Sequence, residues 1–344
     1  FELNEDYAFL NSPAALDKGL NYSVDAIYFG ETYCASAACE SPKQFEGMIY
    51  KLPVKCDPCE WDATVSNPVA YEDDPTLWPS PSVLMEIDAP VTAPLALSVD
   101  YYDNGWVYFG TGRYLRDEDK ISQNQEYLIG LKDPFYNEDY NGTYYHNFAS
   151  AKTLQTSDLF VADDIAVTTS GYVFKASTGQ PYGGALATSN WGDMLDDARA
   201  KDGWIRNLEV SSGPSERVVS KSSILGGIVL TPTYTPNDDI CGFGGMTGFY
   251  GLYYETGTPF TKNVFKWDGQ TISYGSTTYK KVNAKLNASN IGAPPPGVGI
   301  HAGREGGAHG AKAFLQLSTG EIAAIDVETA LPIKSNLTNW REVD

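Results

Sequence analysis

Short stretches in which apolar and polar residues alternate recur along the whole chain, and each contains or ends near a glycine or a turn residue. A period of two places every second side chain on one face of a strand, so these stretches predict half-buried β-strands. They are residues 24–31, 105–112, 126–133, 164–177, 223–234, 248–257, 264–275 and 313–330. The pattern predicts a fold of many short strands joined by tight turns.

Three of these stretches contain a turn-forming pair between two alternating apolar runs. The pairs are Ser170-Gly171, Asp268-Gly269 and Thr319-Gly320. Glycine supplies the backbone conformations that tight hairpin turns require, so each pair predicts a β-hairpin.

One stretch, residues 192–203, has helical rather than strand periodicity. Met194, Leu195 and Ala198 fall on one face at helical spacing. Gly203 stands where a helix would be expected to stop. We predict a single short helix of two to three turns.

The order of these elements constrains the fold class. No helices alternate with the strands, which disfavours a parallel α/β sheet. The strands come in closely connected sets separated by long polar loops, a pattern typical of antiparallel blades repeated around an axis. We expect an all-β, β-propeller-type fold with one short helix, forming a single domain over residues 1–344. The glycine- and proline-rich stretch 290–314 is expected to be a linker.

The composition supports this picture and excludes some partners. The 33 glycines and 23 tyrosines suit many short strands and turns. The formal net charge is −20, which repels phosphate backbones and anionic lipid, so we expect no nucleic-acid binding. An acidic surface suits high solubility, divalent cations and an extracellular location. No apolar run approaches the about 18 residues of a membrane-spanning helix.

Four of the five cysteines are clustered, and their chemistry has several interpretations. The cluster is Cys34, Cys39, Cys56 and Cys59, while Cys241 lies apart. Cys56 and Cys59 have a spacing found in zinc ribbons and redox sites, and the other two could complete a tetrahedral zinc set. Free thiols are a third interpretation. We favour local disulfides, whose pairing the sequence does not fix.

Two long segments and the C-terminal residues carry a specific resemblance. "WVYFGTGRYLRDEDKISQNQEYLIGLKDP" (106–134) and "ERVVSKSSILGGIVLTPTYTPNDDICGFGGMTGFYGLYYETG" (216–257) resemble blocks of the PilY-type proteins of type IV pili. "LPIKSNLTNWRE" (331–342) resembles the C-terminal Lys-Ser…Trp-Arg-Glu ending of that family. The resemblance runs in order across nearly the whole chain.

The resemblance implies a non-enzymatic C-terminal domain of a pilus tip adhesin and assembly factor. In that family the domain is a modified β-propeller that binds calcium and regulates pilus extension against retraction. The family domain is larger, so we expect an incomplete propeller, completed by an N-terminal companion chain or left open. The chain starts at Phe1 without a leader, which predicts a piece of a longer exported precursor. Expected partners are minor pilins or other pilus tip proteins, on the cell surface or at the pilus tip.

The resemblance also suggests a calcium loop just before the first long predicted strand. The family loop reads Asp-x-Asp-x-Asp-Gly-x-x-Asp. Aligned on the following strand, this chain keeps oxygen ligands at the first, fifth and ninth positions, Asp17, Asn21 and Asp25. The third position is Gly19, and Tyr22 replaces the glycine that normally supplies the tight turn. We expect a strand-entry turn with a vestigial or weak calcium site.

A second candidate calcium loop lies further along the chain. Asn137, Asp139 and Asn141, followed by Gly142, reproduce the first half of a calcium loop. Phe148 stands where the usual bidentate glutamate would be. An Asn-Gly pair is also a common turn, so both interpretations stay open. We expect at least one of the two loops to bind calcium weakly.

Enzymatic functions find little support in the residues. Quinone-dependent propeller enzymes often use adjacent cysteines, and no two cysteines here are adjacent. The histidines, His146, His301 and His309, do not accompany a Gly-x-Ser-x-Gly motif. We expect no enzymatic activity. The alternative function is an extracellular carbohydrate- or surface-binding propeller that is not attached to a pilus, because tyrosine- and tryptophan-rich loops can stack on sugars.

Overall fold

The structure is a computed structural model that describes most of the chain. The described residues are 8–17, 24–34, 45–54, 75–78, 80–102, 104–134, 138–140, 143–145, 152–210, 213–237, 244–288, 294–295, 297–302, 311–316 and 322–332. Within them there are 23 strands and one α-helix, so the fold is all-β as predicted.

The strands follow one another along the chain in this order: β1 Ala8–Leu10, β2 Ala14–Leu16, β3 Ala26–Cys34, β4 Phe45–Pro53, β5 Ser82–Ile87, β6 Ala96–Val99, β7 Gly105–Gly110, β8 Tyr127–Lys132, β9 Glu138–Tyr140, β10 Thr143–Tyr145, β11 Phe160–Val161, β12 Ile165–Val167, β13 Val173–Lys175, β14 Gly203–Asn207, β15 Ser223–Leu225, β16 Ile228–Pro236, β17 Gly245–Tyr253, β18 Thr271–Tyr274, β19 Thr277–Lys280, β20 Lys285–Ala288, β21 Val298–His301, β22 Lys312–Gln316 and β23 Ile322–Asp326. The helix α1 spans Trp191–Arg199, between β13 and β14. Short 3₁₀ turns lie at Pro75–Leu77, Asp117–Ile121, Thr156–Asp158 and Leu186–Thr188.

Four larger sheets, which we call blades 1 to 4, follow one another along the chain. Blade 1 is β1 to β5, and blade 2 is β6-β7-β8-β14 with β11 added in parallel at its outer edge. Blade 3 is β15-β16-β17-β20, and blade 4 is β21-β22-β23. Apart from β11, neighbouring strands in these blades are antiparallel. The remaining strands form three two-stranded hairpins.

The blades are arranged radially. The inner strands β2, β6, β15 and β21 contact each other in that order, so each blade places an early strand toward a shared centre. The longer and later strands lie further out. This is the geometry of a β-propeller, in which sheets repeat around an axis.

Successive blades bury apolar cores between their faces. Blades 1 and 2 share a core in which Tyr28 and Ile49 pack with Phe109 and Ile129. Blades 2 and 3 share a second core, which Met194 and Ala198 of α1 also enter. A third core joins blades 3 and 4. In the part of the chain that the structure describes, no apolar core joins blade 4 to blade 1.

Trp204 shows how closely blades 2 and 3 approach. Its side chain is 1% exposed, and its indole N–H donates to the Tyr254 carbonyl at 2.8 Å. Gly130 and Gly257 both lie against the ring, where an added methyl group would be 2.5 Å and 2.2 Å from indole atoms. Gly257 also has a φ of +65°, which favours glycine. The two glycines make the space that the indole fills.

Replacing Gly257 with alanine is therefore expected to destabilise the protein by about 3 kcal/mol, because overpacking and backbone strain add together. Urea unfolding followed by circular dichroism measures the change. Gly269→Ala is the matched control, since Gly269 also has a positive φ of +90° but no heavy atom within 4 Å of the added methyl group. It should cost only about 1 kcal/mol. Equal losses in the two variants would contradict the packing role of Gly257.

The predicted helix is confirmed, but the expected stop is wrong. Asn190 caps the N-terminus by accepting a hydrogen bond from the Asp193 N–H, and the last turn ends at Ala200. Gly203 instead begins β14, with a φ of +142°. A methyl group there would lie 2.2 Å from the Gly130 carbonyl oxygen. This glycine permits a close strand approach rather than ending the helix.

The hairpin predictions have mixed outcomes. The hairpin around Ser170-Gly171 is confirmed as β12–β13, and β22 pairs with β23 on either side of Thr319-Gly320. The hairpin at Asp268-Gly269 is wrong, because the preceding residues Val264 and Phe265 are buried in the core between blades 3 and 4 without forming a strand. The hairpin forms one turn later, where Gly275 separates β18 from β19.

The stretch predicted to be a linker, 290–314, is structured in part. Residues Val298–His301 form β21, which pairs with β22 and is the inner strand of blade 4. The strand is only four residues long, so its alternation is not distinguishable within a stretch rich in glycine and proline. None of the helices among the described residues is long and apolar enough to cross a membrane.

Candidate functional site

The first predicted calcium loop closes a hairpin of blade 1. Leu16 in β2 lies opposite Ala26 in β3, and the Asp25 N–H donates to the Leu16 carbonyl at 2.7 Å. Asp17 and Asp25 therefore stand at the two ends of a strand-entry loop, and Asn21 lies outside the described residues. Within the described residues no group of three acidic, histidine or cysteine side chains is placed to hold a metal ion. Calcium binding here stays a prediction.

The second predicted loop falls on a small separate hairpin. Asp139 lies in β9 and pairs with Tyr144 of β10, so the Asn-Gly pair falls between two antiparallel strands. Asn137 and Asn141 lie outside the described residues. The turn interpretation accounts for the backbone that is described, and the calcium interpretation stays a prediction.

Of the five cysteines, only Cys34 lies within the described residues. It ends β3 and is buried. Cys39, Cys56, Cys59 and Cys241 lie outside the described residues, so the pairing stays a prediction.

The two long segments that carry the family resemblance meet in the interior. The Val218 N–H donates to the Thr111 carbonyl at 2.9 Å, which joins the segment 216–257 to the segment 106–134. Gly110 and Gly112 allow this approach, since an added methyl group at either position would lie within 2.5 Å of Val218 or Arg217. The two segments that resemble the PilY-type proteins therefore contact each other directly, and we call this contact the junction.

Arg217 organises that junction. The side chain is buried, and its guanidinium donates to the backbone carbonyls of Arg113, Asp119, Ser122 and Ser215 at 2.6–3.2 Å. Its planar fork bonds four carbonyls, three in the loop 113–122 and that of Ser215. Burial lowers the pKa of Arg217, while the nearby carboxylates of Glu126 and Asp119 act in the opposite direction. This arginine fixes the loop over residues 113–122.

An ion pair between Arg113 and Asp119 supports the same loop. The Arg113 guanidinium donates twice to Asp119 Oδ1, at 2.8 and 3.1 Å, and lies 3.7 Å from the centre of the Phe45 ring of blade 1. The other carboxylate oxygen of Asp119 accepts the N–H groups of Leu115 and Arg116. Burial works against the Asp119 carboxylate, but these donors outweigh it and lower its pKa.

Glu126 is the buried acid of the junction. Its carboxylate accepts the Thr111 hydroxyl at 2.6 Å. Burial raises the pKa of Glu126 to about 8, and the hydrogen bond from Thr111 and the charge of Arg217 only partly oppose that shift. Burial thus favours the neutral form of Glu126, which acts as a structural hydrogen-bonding group.

This assignment predicts the direction of a pH dependence. Between about pH 4.5 and pH 8 the folded protein holds a proton on Glu126 that the unfolded chain has released. Stability contributed by this group should therefore fall as the pH rises through that window. Glu126→Gln keeps an acceptor for Thr111 without the charge, so it should stabilise the protein at pH 8.5 by about 4 kcal/mol and change little at pH 4.

Urea unfolding of both proteins across this pH range measures the difference. Glu86→Gln is the control, because Glu86 is an exposed carboxylate on β5, and the change should leave the pH profile of stability nearly unchanged. Parallel profiles for the wild type and Glu126→Gln would contradict the assignment.

A cleft of about 470 Å³ opens between the outer parts of blades 2 and 3. Its apolar floor includes Ile165, Leu252 and Val282. Its volume lies in the range of about 300–1,000 Å³ that is typical of small-ligand sites. The charged and amide side chains on its walls include Asp163, Arg206, Glu209, Asp268, Gln270 and Lys281.

One end of the cleft is built on a buried polar cluster. Lys285 Nζ lies 2.8 Å from Glu209 Oε1 and 3.1 Å from Glu216 Oε2. The hydroxyls of Tyr250 and Thr233 also donate to Glu216, at 2.9 and 2.5 Å. Burial, and then the negative charge of Glu216, raise the pKa of Tyr250, which keeps its hydroxyl a donor. This cluster holds the outer strands of the two blades in fixed positions.

The residues of the cleft carried no signal in the sequence. Asp163, Arg206 and Lys281 stand far apart in the chain and belong to no local motif. Only the packing of blade 2 against blade 3 brings them together. The predicted candidates, by contrast, were local loops. Of the histidines, His301 is exposed on β21, and the other two lie outside the described residues.

Comparison with models of known protein families gives no match. Comparison with curated protein sequences gives none either. A solved structure does match, that of the PilY1 C-terminal domain of Pseudomonas aeruginosa, with a TM-score of 0.55 over 92% of this chain and 16% sequence identity. This chain has the fold of the PilY1 C-terminal domain.

That domain is a β-propeller, which agrees with the radial arrangement of blades 1 to 4. The match covers 61% of the PilY1 C-terminal domain, so the chain spans less than two thirds of its length. The predictions of a propeller-type fold and of a resemblance to this domain are confirmed.

Proposed function

We propose that this chain is a non-enzymatic module of a type IV pilus-associated protein, acting in pilus assembly and adhesion. The observation that carries the proposal is the structural similarity to the PilY1 C-terminal domain over 92% of the chain. The meeting of the two resembling segments around Arg217 supports it, because the motifs occupy a structural junction of the fold. An extracellular location at the pilus tip or cell surface fits the acidic composition.

We propose further that another part of the full protein completes the propeller. Among the described residues no apolar core joins blade 4 to blade 1, and the PilY1 domain is longer than the part this chain matches. Blade 4 has three strands among the described residues, where blade 3 has four. An N-terminal companion segment could add both strands and blades, since sheet edges pair readily with further strands. Minor pilins or other tip proteins are the expected partners beyond the propeller.

We also propose weak calcium binding at the loop between Asp17 and Asp25 or at the hairpin that contains Asp139. Calorimetric titration of calcium into chelator-treated protein tests this, with Asp17→Asn/Asp25→Asn and Asp139→Asn as variants. Heat of binding and a raised melting temperature, both reduced by one of these changes, are expected. No heat and no change in melting temperature would overturn the calcium proposal while leaving the pilus proposal intact.

Shearing of pili tests the pilus proposal. Filaments are sheared from the cells that produce this protein, purified and probed with antibodies against the chain and against the minor pilins. The chain is expected in the filament fraction together with the minor pilins, and its amount should fall when pili are absent. Its presence only in the medium or cell envelope would favour the alternative of a surface-binding propeller without a pilus.

A further inference from the structure

The side chains on the walls of the cleft between blades 2 and 3 share an unusual arrangement. Four of them, Asp163, Arg206, Asp268 and Gln270, are anchored through one polar atom, and a second polar atom of the same flat group has no partner among the described residues. Asp163 Oδ1 accepts the Asn207 N–H, and Asp268 Oδ1 accepts the Gln270 N–H at 3.0 Å. In each case the second carboxylate oxygen is open. These carboxylates are held in place yet keep one acceptor for a ligand.

The donors follow the same rule. Arg206 Nη1 donates to the Ala162 carbonyl at 2.9 Å, which leaves its other guanidinium nitrogens open within the described part of the chain. Gln270 Oε1 accepts from Lys281 Nζ at 3.0 Å, which leaves its amide N–H₂ open. The cleft thus offers fixed acceptors and fixed donors side by side. Flat groups with two polar atoms suit neighbouring hydroxyls, which each donate and accept.

The charges of the cleft balance. Three acidic residues, Asp163, Glu209 and Asp268, and three basic residues, Arg206, Lys281 and Lys285, line it. Lys285 is already paired with Glu209 and Glu216. A charged ligand would gain little net attraction and would meet like charges on part of the wall. The cleft therefore favours an uncharged, polar ligand.

An exposed aromatic side chain stands beside the cleft. Trp267 precedes Asp268 in the chain, and its indole N–H donates to the Gln270 carbonyl at 3.2 Å. The side chain is 39% exposed, and the Lys280 ammonium lies 5.0 Å from the ring centre. An indole held this way offers an apolar surface to the C–H groups of a ligand whose hydroxyls face the polar wall.

We propose that this cleft binds an uncharged short oligosaccharide. Paired hydroxyls would bond the open atoms of Asp163, Arg206, Asp268 and Gln270, and one sugar ring would lie against Trp267. The inference goes beyond the pilus assignment and does not depend on it, since it rests only on the cleft. Such a cleft would let the module bind sugars at a cell surface with or without a pilus.

The 344-residue chain is tested with neutral trisaccharides of glucose, mannose and N-acetylglucosamine, and with trigalacturonic acid for comparison. Binding is followed by saturation-transfer NMR and then by calorimetry. At least one neutral trisaccharide should bind, and the acidic one should bind more weakly. Asp268→Ala/Gln270→Ala and Trp267→Ala should each weaken binding at least tenfold without lowering the melting temperature, since all three residues are exposed.

Tyr101→Ala is the matched control, because Tyr101 is an exposed aromatic residue outside the cleft, with 89% exposure. It should leave binding unchanged. Three outcomes would overturn the proposal: no binding of any neutral trisaccharide, binding that survives the cleft variants, or tighter binding of trigalacturonic acid. Absence of the chain from pilus filaments would not bear on it.

Discussion

Arg217→Ala is expected to lower the free energy of unfolding by about 3–5 kcal/mol. The change removes a side chain that donates to the carbonyls of Arg113, Asp119, Ser122 and Ser215. The Asp119 and Ser122 carbonyls keep backbone donors, so the loss falls mainly on those of Arg113 and Ser215. Each buried carbonyl left without a donor costs about 1–3 kcal/mol. Urea unfolding at pH 7 measures the loss. A variant that does not fold at all has lost the full free energy of unfolding of the wild type, which also meets the expectation.

Two further variants make this expectation specific. Arg217→Lys keeps the charge but not the planar fork, so it should recover only part of the stability. Lys221→Ala removes a nearby exposed cation and should change the free energy of unfolding by less than about 0.5 kcal/mol. A loss below about 1 kcal/mol for Arg217→Ala would show that the carbonyls find other donors and that the junction does not depend on this arginine.

Breaking the buried ion pair between blades 1 and 2 is expected to have a comparable effect. Lys51 Nζ lies 2.8 Å from Asp133 Oδ2, both side chains are fully buried, and the Tyr28 hydroxyl donates to the same oxygen at 2.5 Å. Burial lowers the pKa of Lys51, although Asp133 opposes the shift. Lys51→Met leaves the Asp133 carboxylate buried without its cation, so a loss of about 3–5 kcal/mol is expected.

A double-mutant cycle tests the coupling between the two side chains. Lys51→Met with Asp133→Leu should be less destabilised than the sum of the single changes by more than about 1 kcal/mol, because neither charge remains uncompensated. The exposed pair Lys312–Asp326 at 2.8 Å on blade 4 is the control, and Lys312→Met should cost less than about 1 kcal/mol. Additive losses at Lys51 and Asp133 would contradict their assignment as a coupled pair.

Local patterns predicted the strands well, because apolar residues recur within short runs bounded by turn residues. The runs that became β3, β7, β8 and β17 were recognisable for this reason, although these strands are largely buried on both faces rather than half-buried. The helix was equally local. The hairpin predicted at Asp268-Gly269 was wrong because the apolar residues before it do not belong to a strand. Val264 and Phe265 instead fill the core between blades 3 and 4.

The site could not be predicted in the same way. Arg217 lies within a family-like segment, but its role depends on carbonyls about 100 residues earlier in the chain. Arg206 and Lys281 reach one cleft only after two blades pack together. Single charged residues in loops give no sign of such neighbours. What the sequence offered instead were compact loops such as that between Asp17 and Asp25, whose calcium chemistry stays a prediction.

Immunogold electron microscopy of intact piliated cells, with antibodies raised against the 344-residue chain, tests the proposed role of this chain on a type IV pilus. Gold label concentrated at the free ends of the filaments, and absent from cells that lack pili, is the expected result. Label spread over the cell surface at equal density with and without pili would contradict it.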